Sequence, residues 1–206
     1  MSNVAVQERR AVLDLDRIAF DKVCAELMRL AGAERRPDAL IAIPTGGWHV
    51  AQAMAKAVDG DLPVLSLTCR RPSSKLKPGS SAVRRMVSGL PRPIVDRLRQ
   101  AEHALLTRRP AAAPTVPYQF VEQEVEALQR WLASAPAQPS LLVVDDAVDS
   151  GATLAQVVEA IRRHAPSDAS VRSAVITVTT DWPLIQPDHR MYHRQLCRFP
   201  WSMDAR

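Results

Sequence analysis

Two hydrophobic periods divide the chain. Between Arg17 and Ala31, the residues Phe20, Val23, Cys24, Leu27, Met28 and Ala31 recur at i, i+3, i+4, i+7, i+8 and i+11, one stripe of a helix. Asp16 stands where a cap is needed and Gly32 where a helix ends. Ala39 to Ile43 (ALIAI) has no polar position, as expected of a strand covered on both faces. It stops at Pro44-Thr45-Gly46-Gly47, after which WHVAQAMAKAV predicts a second helix and Pro63 to Cys69 (PVLSLTC) a second strand.

The pattern loosens beyond Cys69. Arg70 to Ser81 (RRPSSKLKPGSS) is basic, polar and rich in breakers, and is expected to be a mobile loop. Residues 82 to about 107 have helical spacing, interrupted near Pro91 and Pro93, and Arg108 to Pro117 reads as a Pro/Ala connection. Gln119 to Ala133 predicts a helix with Val121, Val125, Leu128 and Leu132 on one stripe. Leu141 to Val144 and Val171 to Val178 predict strands, with a helix over Ala152 to His164 between them. The tail after Val178 has no clean period. Buried strands alternating with helices imply βαβ crossovers, hence an α/β domain with a central, mostly parallel sheet flanked by helices. A single domain over 1–206 is expected, with a helical insert over about residues 82–135.

Composition narrows the class. The formal charge of +5, from 27 basic and 22 acidic residues, suits an anionic ligand but is too mild and dispersed to argue for nucleic acid. Three cysteines are few and odd in number, which suggests a reduced, cytoplasmic setting. No apolar window reaches the length of a membrane span, and MSNVAVQERR lacks the order of a signal peptide. A Gly-x-x-x-x-Gly-Lys-Ser/Thr phosphate loop is absent, which counts against a nucleotide kinase.

The concentrated chemistry is in LLVVDDAVDSGATL, Leu141 to Leu154. In open α/β sheets ligands bind beyond the carboxyl ends of strands, where loops lead into helices. Backbone N–H groups of Ser150, Gly151, Ala152 and Thr153 would open the next helix and can cradle a phosphate, with Gly151 supplying the freedom for a tight turn. Asp145 and Asp146 would repel that phosphate unless the ligand also brings vicinal hydroxyls or a hydrated divalent cation. A phosphorylated sugar satisfies both halves.

This stretch resembles the signature of type I phosphoribosyltransferases, which use 5-phosphoribosyl 1-pyrophosphate (PRPP): an apolar strand, two acids, a spacer, then Asp-Ser/Thr-Gly-x-Thr. The resemblance implies the fold of that family with a small C-terminal hood, here about residues 179–206, and covers about two-thirds of the chain. It implies that Asp145 and Asp146 hold the ribose hydroxyls and, through water or PRPP, Mg²⁺. Ser150, Gly151, Ala152 and Thr153 would grip the 5′-phosphate, and Asp149 would act as acid/base beside the acceptor. Ala42 to Ala51 (AIPTGGWHVA) lies where the family carries its pyrophosphate loop; Thr45, Gly46 and Gly47 would bring amides to the diphosphate, often through a strained or cis peptide. Cys69 to Gly79 (CRRPSSKLKPG) is similar to the basic loop of adenine phosphoribosyltransferases. Arg70, Arg71, Lys75 and Lys77 would neutralise the diphosphate, with Arg70 and Lys75 in a catalytic part, or else form a solvated basic loop.

The implied activity is transfer of the phosphoribosyl group to a nucleobase or other nitrogen acceptor with release of diphosphate. The implied assembly is a homodimer. A PRPP-binding regulator of the same fold is the alternative, against which Asp149 argues, since sensing needs no acid/base group. Phe199 to Met203 (FPWSM) resembles the tail of xanthine–guanine phosphoribosyltransferase. ITVTTDWP, however, lacks the lysine that 6-oxopurine enzymes set against the purine oxygen. Trp182, Tyr192, Phe199 and Trp201 could stack on a base or pack internally, and Trp48 likewise could line the site or pack. His189, His193 and Cys197, at i, i+4 and i+8, would align on a helix as metal ligands but have no fourth partner.

Overall fold

The computed structural model describes residues 12–70 and 118–202. The span 71–117, with Arg71, Lys75, Lys77 and most of the expected helical insert, lies outside the described residues. In chain order the elements are β1 (Leu13–Asp14), α1 (Arg17–Gly32), β2 (Ala39–Ala42), α2 (Gly46–Lys56), β3 (Val64–Ser66), β4 (Cys69–Arg70), β5 (Gln119–Phe120), α3 (Glu122–Ser134), β6 (Ser140–Val148), α4 (Ala152–His164), β7 (Ser170–Val178), β8 (His189–His193) and β9 (Cys197–Arg198).

Five of the strands form one parallel sheet in the order β3-β2-β6-β7-β8. The chain steps from β2 outward to β3 through α2, and from β6 outward through α4 in the opposite direction. Right-handed crossovers in opposite directions must put their helices on opposite faces. The strands obey this with period two: Leu40, Ala42, Leu142 and Val144 pack under α1 and α2, whereas Ile41, Ile43, Leu141 and Val143 pack under α3 and α4. Covered on both faces, β2 needs apolar residues throughout, and Ala39 to Ala42 are all buried.

Local signals explain the ends of α1. Asp16 Oδ1 accepts a hydrogen bond from Ala19 N at 2.8 Å, and Phe20, Cys24, Leu27, Met28 and Ala31 are buried. Three expectations need correction. The strand expected at Leu141–Val144 runs from Ser140 to Val148, because it keeps pairing with β7 as far as Val148↔Val178 after β2 has ended. PVLSLTC is broken into β3 and β4: Glu124 of α3 takes hydrogen bonds from Ser66 Oγ and from the backbone N and hydroxyl of Thr68, turning the chain there. Gln119 and Phe120 are not helical but pair antiparallel with Arg70 and Cys69.

The tail, patternless in sequence, is held by two ladders. β8 adds to the sheet beside β7, and β9 pairs parallel with β1, Leu13 to Cys197 and Asp14 to Arg198. The metal-ligand alignment of His189, His193 and Cys197 fails, because the first two sit in β8 and the third in β9 rather than on one helix. No group of three or more candidate metal ligands occurs among the described residues. Phe199 is buried, and Trp201 stacks on it at 5.0 Å, on His49 at 4.5 Å, and edge-on to Phe20 at 5.0 Å. These two aromatics pack the tail onto α1 and α2; Trp182, in contrast, is 67% exposed.

Candidate functional site

The sheet order reverses direction between β2 and β6, and such a switch point opens a crevice beyond the carboxyl ends of the two strands. A cavity of about 220 Å³ occupies that position. Its walls are the two strand-to-helix connections: Ile43 to Gly46 from β2, and Asp145 to Gly151 with Thr153 and Leu154 from β6.

The register explains why acids can end a buried strand. Val144 pairs with Ala42, the last residue of β2, so Asp145 and Asp146 have β7 on one side and an ended strand on the other. Both line the cavity and are half-buried. Burial raises the pKa of Asp145 well above the ordinary carboxylate range, and the neighbouring charge of Asp146 adds to the rise. Asp146 is raised as well, again chiefly by burial, with its hydrogen bonds opposing. The Asp145 carboxylate accepts from Asp146 N at 2.9 Å. Two desolvated, adjacent carboxylates are costly in the free protein, and a cation or hydroxyl donors would relieve them.

Two helices start on this cavity. The first turn of α2 lies directly on β6, which explains its glycines by packing rather than by turn geometry. A methyl group at Gly46 would overlap the Asp146 carboxylate; at Gly47 it would overlap the Val144 carbonyl and stand 2.9 Å from Asp145 Cα. Gly46 and Gly47, expected in a turn, are therefore the first residues of the helix. The Pro44–Thr45 peptide before them is cis. At α4 the start is a left-handed Gly151 (φ 72°), a conformation that suits glycine. Thr45 at the start of α2 makes no side-chain capping bond, and Gly151 at the start of α4 has no side chain to make one. Both first turns lie at the positive ends of their helix dipoles, which favours an anion beside them. Ala152 N does reach Ser150 Oγ, at 3.4 Å.

The tail closes one side. Leu184 N donates to Ser150 O at 2.8 Å, and a methyl group on Gly151 would stand 3.0 Å from Leu184 N. Residues 183–185 therefore hold the turn that opens α4.

The fold brings Thr45, Gly46, Asp145, Asp146, Asp149, Ser150, Gly151 and Thr153 to one cavity. Gly47 and Ala152 are buried immediately behind it. Arg70, in β4, is exposed and does not line it, and Arg71 and Lys75 fall outside the described residues. Trp48 is 38% exposed and does not line it either. One residue escaped the sequence reading. Thr179 Oγ1 donates to Asp149 Oδ1 at 2.5 Å across the end of the sheet. Its signal, a pair of hydroxyls directly after a buried strand in ITVTT, is too common to single out by itself.

A family profile described as phosphoribosyl transferase domain matches residues 15–181. Three solved structures share the fold. Purine phosphoribosyltransferase from Pyrococcus horikoshii has a TM-score of 0.56 and 16% identity, over 94% of this chain and 95% of that one. Xanthine-guanine-hypoxanthine phosphoribosyltransferase from Helicobacter pylori has a TM-score of 0.56 and 16% identity, over 93% and 94%. A hypothetical protein from Neisseria gonorrhoeae, solved with bound ppGpp, has a TM-score of 0.53 and 16% identity, over 95% and 93%. No curated protein matches.

Proposed function

Because the chain belongs to the phosphoribosyl transferase domain family, whose members are PRPP-dependent pentosyltransferases, we propose that it transfers the phosphoribosyl group to a ring nitrogen of a nucleobase in the cleft between β2 and β6. The observation that carries this reading is the junction of Asp145–Asp146 with the Ser150–Thr153 turn at one cavity. Few ligands answer to two acids and an anion cradle only a few residues apart, and a phosphorylated pentose does.

In this reading the first turn of α4 binds the 5′-phosphate through its N–H groups, while Asp145 and Asp146 accept from the ribose hydroxyls. The α2 amides at Gly46 and Gly47 lie against diphosphate and stabilise it as it leaves. Asp149 holds the proton of the incoming base nitrogen. Mg²⁺ fits the acids chemically, since it prefers carboxylate and phosphate oxygens. With no third protein ligand gathered among the described residues, substrate and water would complete its shell. When bound, the ion offsets the charge gathering on diphosphate.

At the acceptor end the tail offers Thr180 and Asp181 where a 6-oxopurine enzyme carries lysine. A carboxylate only accepts, so Asp181 favours a base edge that carries donors, whereas the Thr180 hydroxyl serves either kind of edge. The experiment is direct: incubate the protein with PRPP, Mg²⁺ and a panel of nucleobases, and follow diphosphate release. Release with at least one base is expected, and Asp149→Asn is expected to keep PRPP affinity but to lose turnover by about 10²-fold or more. PRPP binding without release for any base would instead indicate the regulatory alternative.

A further inference from the structure

Asp149 is exposed, one residue past the end of β6, where no strand pairing fixes its side chain. Thr179, one residue past β7, is 5% exposed. Its N–H donates to the Val148 carbonyl at 2.9 Å, which locks it beside Asp149. Its hydroxyl stands 2.5 Å from Asp149 Oδ1 and 3.3 Å from the same Val148 carbonyl. A threonine hydroxyl has one proton to give. The nearer, charge-assisted acceptor takes it. Branching at Cβ restricts χ1, so this donor has a fixed direction that a lone surface carboxylate lacks.

We infer that Thr179 is a positioning residue: its hydroxyl holds Oδ1 of Asp149 and leaves Oδ2 to meet the proton of the acceptor. The inference rests on the reading of Asp149 as the acid/base group. A merely structural threonine would end the strand equally well, and its loss would disturb binding and turnover together.

Thr179→Val keeps the shape and removes the donor, while Thr179→Ser keeps the donor. With the full chain, PRPP, Mg²⁺ and a base that the wild type uses, Thr179→Val is expected to lower kcat about ten- to a hundredfold, since small misplacements of reacting groups cost that much. KM for PRPP should change by less than about twofold, because Thr179 lies behind the cavity wall and not among its lining residues. Thr179→Ser should recover most of kcat. Unchanged kcat in the valine variant, or a serine variant equally slow, overturns the inference while leaving the transfer reading intact.

Proton NMR supplies a readout free of turnover. The Thr179 hydroxyl proton should be protected from exchange in the wild type and exchange faster in Asp149→Ala, where only the longer contact to the Val148 carbonyl remains; an unprotected wild-type hydroxyl, or an exchange rate that Asp149→Ala leaves unchanged, overturns the inference. A wild type that releases diphosphate with no base overturns the transfer reading, and the catalytic part of Thr179 with it. That outcome is recognised by hydroxyl protection persisting without turnover.

Discussion

Asp145 and Asp146 bear most of the physical tension in the molecule. A carboxyl whose pKa is raised on folding binds its proton more tightly in the folded chain than in the unfolded one. Above the unfolded aspartate value, about 3.9, the unfolded chain has released protons that the fold retains, so stability falls as pH rises until the raised folded values are passed. Both acids shift in this direction, mainly through burial. Asp145→Asn is therefore expected to raise the Tm of the ligand-free protein near pH 7 and to flatten its decline above about pH 4. It should also weaken PRPP binding in titration calorimetry. Thermal scans across pH with both proteins check the pair of effects; a variant that melts lower at neutral pH would contradict it. At this scale the sequence was informative, since the acids, the hydroxyls and Gly151 could all be read from one short stretch. It offered a ligand reason for Gly46 and Gly47 but not the packing one, because the strand they lie against is about a hundred residues away.

Among elements, α3 does something its hydrophobic stripe does not announce. Its Glu124 receives Ser66 Oγ at 2.8 Å, Thr68 Oγ1 at 3.0 Å and the backbone N of Thr68, and so ties a helix to the bend between β3 and β4. That bend leads into the β4–β5 ladder, through which the chain leaves for residues 71–117 and returns. Glu124→Ala strands donors in a partly buried place, so a loss of about 1–3 kcal/mol is expected in urea unfolding. A change within a few tenths of that unit would show that water replaces the carboxylate. Helix α1 was legible almost to the residue because cap and stripe agree, and α4 because its stripe begins directly after the Gly151 turn. The β3–β4 break was not legible, because its cause is a side chain from another element.

For the whole molecule, the C-terminal tail ties the sheet to the helical layer that carries α2. Arg198, almost fully buried, pairs with Asp14, and Trp201 lies between Phe199 and His49, with Phe20 at its edge. Trp201→Ala should cost about 3 kcal/mol, at the low end for an aromatic truncation because the ring is only partly buried. For a chain of this size that is a fall in Tm of roughly 6–12 °C. PRPP affinity should hold, since Trp201 does not line the cavity; loss of affinity in the folded variant would mean that the stack supports α2 from a distance.

The sequence by itself determined what depends on neighbours along the chain: the alternation of strands and helices, the parallel sheet, and the phosphoribosyl signature from Asp145 to Thr153. Period, caps and turn chemistry are local, and they survive reading in one dimension. Only the tertiary structure decided what depends on distant residues meeting. Among these are the length of β6 past its ended neighbour, the close seating of α2 on Val144, and the strands of the tail. The hydroxyl of Thr179 against Asp149 belongs with them. Each arises from two segments far apart in sequence competing for the same space or the same proton, and a linear pattern does not encode that competition.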